Sequence, residues 1–220
     1  PAARRAASRL ALSGAPRLCL DRPMSLRTSA QRSADSRTTM TEFVLPTHAN
    51  ALGNVFGGQI LAWMDICAAI CAQRHAGVVG VTAGVDELNF QRPIKVGQVV
   101  RLEARVTCTF RTSFEIRVVV HGEDSLKPET WLCVEAFMTF VAIDPEGRPV
   151  QVPQLVCESQ EDRALAHDAS ERRRLRLADL EGEAWVQGDM NEVCGLMHLT
   201  ACRRVGFEPR VAFESDDYNV

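Results

Sequence analysis

Between Gly58 and Gly77 the chain reads QILAWMDICAAICAQRHA, apolar nearly all round. Its length and flanking glycines predict one long helix, and a helix without a polar face must be enclosed on most sides. Beyond it the period changes to two. In VVRLEARVTCTF, Val100, Leu102, Ala104, Val106, Cys108 and Phe110 fall on one face, with Arg101, Glu103, Arg105, Thr107 and Thr109 on the other. That alternation predicts a strand with one buried and one wet face. FEIRVVVHG predicts the next strand, with Phe114, Ile116, Val118 and Val120 inward, after a connection near Arg111 and Thr112. WLCVEAFMTFVAI is longer and apolar on both faces, which suits a central strand. An earlier strand spans about Val78 to Phe90, before the break at Arg92 and Pro93 and a turn at Gly97.

The predicted order is a short strand, one buried helix and four strands in succession. Consecutive strands with short links make an antiparallel sheet, and a single apolar helix is best covered when that sheet curls round it. This is an α+β architecture of the hotdog type, a curled antiparallel sheet around one long central helix, expected over residues 42–157. A charged helix is expected over 158–182, with Leu165, Leu175, Leu177 and Leu180 as its sparse apolar contacts. Residues 183–220 show no period. Residues 1–41 differ in kind: Arg4, Arg5, Arg9, Arg17, Arg22, Arg27, Arg32 and Arg37 face only Asp21 and Asp35, among many Ala and Ser. That is the composition of a mitochondrial transit peptide or a disordered leader, with Met24 and Met40 as alternative starts. The segment is expected to lie outside the fold.

Composition narrows the function classes. With 220 residues, 46% hydrophobic, 24% charged and a net charge of −3, the chain reads as a globular domain without the clustered basic surface of a nucleic-acid binder. No apolar run reaches the roughly 18 residues of a membrane span, because Asp65 and Gln73 interrupt the best candidate. The eight cysteines lack CxxC spacing and follow no secretory segment, so they read as reduced thiols of an intracellular compartment. The expected location is the cytoplasm, or the mitochondrial matrix if the Arg-rich leader is a transit peptide.

Asp65 raises the chemical question. A carboxylate in a mostly apolar helix costs several kcal/mol, on the order of 2–7, unless paired or neutralised. Desolvation pushes its pKa toward the range of a general base. The plain alternative is an aspartate facing solvent or an arginine. The helix start adds a second feature: Asn54, then Gly57 and Gly58, place a carboxamide and unobstructed backbone N–H groups where the helix dipole favours negative charge. This is the equipment of an oxyanion hole, or else an ordinary N-cap with close packing at the glycines. Gly58 and Asp65 stand seven residues apart, roughly 10 Å along a helix. One helix therefore cannot easily bring both to one carbonyl, whereas two antiparallel helices of a two-fold dimer can. Cys67, Cys71 and His75 share a helix face at metal-like spacing but span about 12 Å, and read as core packing. No GxSxG, GxxxxGK[ST] or GxGxxG motif occurs. Arg172, Arg173, Arg174 and Arg176 form either a solvated helix face or a phosphate clamp.

The stretch VLPTHANALGNVFGGQILAWMD resembles the signature of the hotdog-fold acyl-CoA thioesterases. The similarity continues through RHAG, VTAGVDELNF, RPIKVGQVV, FRTSFEI, AFMTFVAID and SERRRLRL, from about Phe43 to Leu177. The resemblance implies hydrolysis of acyl-CoA to a free acid and CoA without metal or cofactor. In it, Asp65 is the general base or nucleophile, Asn54 orients water or carbonyl from the partner subunit, and Gly57 and Gly58 polarise the thioester through backbone N–H groups. It places Ala83, Gly84, Val85, Thr112, Ser113, Phe114 and Arg174 at the CoA. Several relatives carry two hotdog units in tandem. A single unit implies a homodimer, or a trimer of dimers. Two other readings remain open: an acyl-CoA binder without hydrolysis, which has no need of Asp65, and a dehydratase, which needs a histidine base where only the distant His75 stands.

Overall fold

The computed structural model describes residues 26–86 and 88–178, together with 184–188 and 210–215. Five strands form one antiparallel sheet in the order β2 (Thr38–Phe43), β4 (Val99–Thr109), β5 (Ser113–Asp124), β6 (Glu129–Ile143) and β3 (Val79–Val85). Across its concave face lies α2 (Gly57–Ala76), and the curled sheet around it is the hotdog fold. The inward residues of β5, Phe114, Ile116, Val118 and Val120, are fully buried, as their alternation predicts, and Ala136, Met138 and Phe140 of β6 are fully or almost fully buried.

Seating the helix takes small side chains. A Cβ built on Gly80 would come 2.9 Å from the Ala72 Cβ, so the bare strand backbone admits the helix. On α2 the buried residues Ile60, Trp63, Met64, Cys67, Ala68, Cys71, Ala72 and His75 recur at three- and four-residue spacing. The helix stops at Gly77, whose left-handed backbone (φ +77°) lets its N–H donate to Gln73 O at 2.8 Å.

Three expectations change. First, β4 carries a bulge at Thr107, between the pairs Val106↔Ile116 and Cys108↔Glu115. An extra residue reverses the alternation, so Thr107 is buried beside Val106. Cys108 and Phe110 turn to the outer face, where Cys108 Sγ meets Ser170 Oγ at 3.8 Å and Arg173 lies over Phe110 at 4.1 Å. Second, the fold begins before residue 42. Strand β1 (Gln31–Arg32) pairs with β7 (Leu155–Val156), α1 (Ser33–Ser36) follows, and β2 edges the main sheet. Ser33 Oγ donates to Val106 O at 2.9 Å and Arg27 N–H to Ala76 O at 3.0 Å. The segment is anchored by polar bonds and so shows no hydrophobic period. The leader reading of residues 1–25 lies outside the described residues.

Third, among its described side chains α3 (Gln160–Ala178) is held by charge more than by leucines. Leu165 is half-buried and Leu175 50% exposed, while Ala169 is buried. The contacts expected of Leu177 and Leu180 lie outside the described residues. Ser159 and Asp162 cap the helix reciprocally, each side chain accepting from the other's N–H at 3.0 Å. Glu115, fully buried, accepts from Thr107, from Arg172 at 2.7 and 3.2 Å and from Arg176 at 3.3 Å. Strands β8 (Ala184–Gly188) and β9 (Arg210–Ser215) pair in parallel in the region where no period was evident. No helix of the described residues is long and apolar enough to cross a membrane.

The far end of α2 is closed by His75, which is fully buried. Its Nε2–H donates to Pro153 O at 3.2 Å and its Nδ1 faces Ser36 Oγ at 3.5 Å. Burial holds its pKa below the ordinary 6.5. As pH falls below that value the unfolded chain takes up a proton that the folded one refuses. Stability is then expected to drop by at most about 1.4 kcal/mol per pH unit. Urea midpoints at pH 7.5 and 5.5 measure this; His75→Gln should flatten the slope, and an unchanged slope would place the pH sensitivity elsewhere.

Candidate active site

The loop before α2 is organised by one side chain. Asn50 Oδ1 accepts from Leu52 N–H at 2.9 Å and Asn54 N–H at 3.2 Å, while Gly53, at φ +73°, turns the chain between them. Asn54 O in turn accepts from Asn50 N–H at 2.8 Å. Further along, Val55 N–H donates to Ile94 O and Phe56 N–H to His48 O, and the His48 ring stands edge-on to Trp63 at 5.0 Å. With its oxygen engaged twice, the Asn50 carboxamide is fixed in orientation. Asn50 lines a cavity of about 270 Å³ together with Asn54, Gly57, Ile60, Phe90 and Arg92.

Gly57 and Gly58 are the first residues of α2, where backbone N–H groups have no intrahelical acceptor. Aromatic rings flank this turn, tightly at Gly58 and at ordinary contact distance at Gly57. A Cβ on Gly58 would meet the Phe56 ring at 3.0 Å, and one on Gly57 the Phe90 ring at 3.6 Å. Asn54, Gly57 and the missed residue Asn50 thus meet at one cavity, with Gly58 beside them.

Asp65 is not among them. It sits two turns along α2, half-buried, next to Ile66, which is 50% exposed. The helix is therefore enclosed on its sheet side and open along a strip that carries Ala62, Asp65 and Ile66. The carboxylate has one protein donor among the described residues, the Thr82 hydroxyl of β3 at 2.5 Å from Oδ1. Thr82 carried no sequence signal of its own, because a threonine in a strand is ordinary.

The residues expected at CoA divide. Ala83, Gly84 and Val85 lie at the bulged end of β3, with Ala83 the extra residue, and Ala83 and Val85 are exposed. Thr112 and Ser113 are buried at the β4–β5 turn, where Ser113 Oγ accepts from Arg173 at 3.3 Å. Phe114 is fully buried, its ring parallel to Phe140 at 6.4 Å. Arg174 points to solvent and pairs with Glu171 at 3.0 Å, whereas Arg172 and Arg176 face the sheet. Arg176 also reaches Asp86 at 2.7 Å and Thr139 at 3.1 Å. Burial pushes the Cys67 thiol up to about 11 and Cys71 to about 12, so both stay protonated and act as packing groups. Among the described residues no group of three His, Cys, Asp or Glu is placed to hold a metal ion.

A hotdog protein with a bare helix start beside a carboxamide-lined cavity is the class that the fold and site define. Residues 52–129 match the Thioesterase superfamily model. The chain is 37% identical to mouse acyl-coenzyme A thioesterase 11 over 164 residues, 72% of this chain and 27% of that protein. It is 36% identical to the uncharacterized acyl-CoA thioester hydrolase YkhA of Bacillus subtilis, covering 64% of this chain and 83% of the relative. A crystal structure of an apo-hexameric acyl-CoA thioesterase superposes with a TM-score of 0.68 at 38% identity, covering 70% of this chain and 99% of that one. The acyl-CoA hydrolase of Staphylococcus aureus, solved with butyryl-CoA, CoA and CoA disulfide, gives 0.64 at 31% identity over 68% and 92%. Alanine variants of that hydrolase replace an aspartate, an asparagine fifteen positions before it and a threonine seventeen positions after it. The chain belongs to the hotdog acyl-CoA thioesterase family. It spans about a quarter of the length of the mouse and rat acyl- and acetyl-coenzyme A thioesterases it matches.

The loop geometry makes a direct prediction. Asn50→Ala leaves the Leu52 and Asn54 N–H groups without their acceptor, a bond worth about 1 kcal/mol each. Hydrogen exchange at these two amides should quicken roughly fivefold while β5 is unchanged. Wild-type exchange at both would remove Asn50 as the organiser of the loop.

Proposed function

We propose that the chain hydrolyses acyl-CoA to a free acid and CoA at a site shared between two copies. The observation that carries this reading is the trio Asn50, Asp65 and Thr82. Asn50 stands fifteen residues before Asp65 and Thr82 seventeen after it, the spacings of the residues replaced in the S. aureus hydrolase. That spacing favours Asn50 over Asn54 as the catalytic carboxamide, and the doubly fixed Asn50 oxygen supports it. Asn54 then serves the cavity rim.

The chemistry follows from the parts. The thioester carbonyl lies at the start of α2, where the Gly57 and Gly58 N–H groups and the Asn50 amide stabilise the developing oxyanion. Asp65, oriented by Thr82, takes a proton from water as it attacks the carbonyl carbon. The tetrahedral adduct then expels CoA thiolate, which recovers a proton. Only water and protein groups take part. Ala83, Gly84 and Val85 at the exposed bulge and Arg174 from solvent contact the CoA, whereas the burial of Thr112, Ser113 and Phe114 speaks against direct contact in this arrangement.

A second copy supplies the missing proximity. Among the described residues strand β3 is a sheet edge, its Val81 and Val85 are exposed, and the open strip of α2 with Ile66 lies beside it. An unpaired edge next to an uncovered apolar strip is a self-complementary surface. Pairing there about a two-fold axis brings one copy's Asp65 toward the other's helix start. The hexameric relatives support further assembly as a trimer of dimers.

Free-CoA release, followed with a thiol reagent, tests the reaction. Asp65→Ala and Asn50→Ala are each expected to lower kcat by on the order of 10²–10³, and Asn54→Ala by less than about tenfold. Wild-type turnover in Asp65→Ala with the assembly intact would sink the assignment. Binding of CoA esters without thiol release would favour a binding module.

Mixing the two inactive variants tests the sharing. A heterodimer of Asp65→Ala and Asn50→Ala has one intact site, so exchanged mixtures should recover roughly a quarter of wild-type activity. No recovery, despite subunit exchange seen by light scattering or labelled chains, would place both residues in one protomer's site.

A further inference from the structure

Strand β3 bonds on both faces of the sheet, and its bulge makes that possible. Thr82 pairs with Phe140, a fully buried inward residue, and its hydroxyl meets Asp65 of the helix. Ala83 is the extra residue; beyond it Gly84 pairs with Thr139 and Val85 with Met138. The alternation is thereby reversed. Asp86, four residues after Thr82, turns to the outer face, where an unbroken strand would have turned it inward. Its N–H closes the ladder on Phe137 O at 2.9 Å.

On that outer face Asp86 meets the last turn of α3. Arg176 donates to Asp86 at 2.7 Å, to the Thr139 hydroxyl at 3.1 Å and to the fully buried Glu115 at 3.3 Å. Thr139 stands in register with Gly84 on one side and Glu115 on the other. One guanidinium thus ties the end of β3 to β6 and β5 along a single row, a task suited to its planar fork of donors. Arg172 completes the group, pairing with Glu115 at 2.7 Å and lying over Phe137 at 3.6 Å. Two guanidinium groups face two carboxylates, and the cluster is neutral. Among the described residues β3 pairs along one side only, with β6, so its end leans on this contact more than a central strand would.

We propose that Arg176 is a positioning residue for the hydrolysis: by holding Asp86 on the outer face it fixes the bulge of β3, and the bulge aims the Thr82 hydroxyl at Asp65. The proposal rests on the thioesterase reading and adds to it a residue that acts from the opposite face of the sheet. Thr82 and Asp86 stand an even number of positions apart, so without the bulge both would share one face. Either the bond to Asp65 or the bond to Arg176 would then be lost.

The test is kcat for free-CoA release by the full chain, taken on the fastest of acetyl-, octanoyl- and palmitoyl-CoA. Arg176→Met and Asp86→Ala are each expected to lower it about tenfold, and to quicken hydrogen exchange at the residue 86 amide. Thr82→Val, which removes a hydrogen bond to a charged group, should lower kcat by about tenfold to a hundredfold. In that background Arg176→Met should cost less than about twofold more, because both changes break the same link. A merely structural brace would give two losses that multiply. Where Arg176→Met fails to fold, Asp86→Ala, which leaves Arg172, Arg176 and Glu115 in place, decides in both backgrounds. Wild-type kcat in Arg176→Met, Asp86→Ala or Thr82→Val, or losses that multiply, overturns the positioning role and leaves the thioesterase reading standing. Absence of thiol release from all three substrates by folded wild type overturns both.

Discussion

Everything at the site depends on how closely α2 sits in the curl of the sheet. The contact of Ala72 with bare Gly80, at a distance no second Cβ allows, draws the helix against β3. That seating brings Asp65 within hydrogen-bond reach of Thr82 on the same strand. It also fixes the helix start over the cavity, because a helix is a rigid rod whose two ends move together. A larger residue at Gly80 would lift the helix, lengthen the Asp65–Thr82 bond and shift the Gly57 and Gly58 N–H groups in one motion.

Two carboxylates show how surroundings separate structure from chemistry. Glu115 is fully buried and accepts from Thr107, Arg172 and Arg176, so its lone pairs are committed and its role is to hold α3 on the outer face. A buried charge so compensated is costly to disturb and unavailable to substrate. Asp65 is half-buried with one hydroxyl donor among the described residues, so its carboxylate is less committed than that of Glu115. The aspartate stands out in the sequence because it interrupts an apolar helix. The glutamate does not, because it occupies an ordinary outward position of an alternating strand.

Strands β4 and β5 were legible because a period of 2 records which side chains are buried, and the central helix because a long apolar run between glycines has to be enclosed. Where a bulge intervenes the record breaks: Cys108 and Phe110 read as inward in β4 yet lie outward after Thr107, and β6 bulges at Cys133. The segment before residue 42 was illegible for a different reason. Ser33, Ser36 and Thr38 are buried by hydrogen bonding rather than by apolar transfer, and no hydropathy pattern registers that. The cluster of arginines on α3 was evident, but which of them face the sheet was not. Arg172 and Arg176 do, four residues apart, and Arg174 turns to solvent between them.

The sequence by itself determined the helix, its glycine start, the placement of Asp65 in an apolar run and the family those residues resemble. It also carried the distance argument, because residues per turn fix how far Gly58 stands from Asp65 along one helix. Only the tertiary structure decided which asparagine's carboxamide is held in orientation, which hydroxyl meets Asp65, and which residues line the cavity at the helix start. Those properties arise from segments far apart in sequence, the loop at 50–56, β3 and the bulge of β6. Contacts between distant segments depend on the closing of the sheet around the helix, and no local period encodes them.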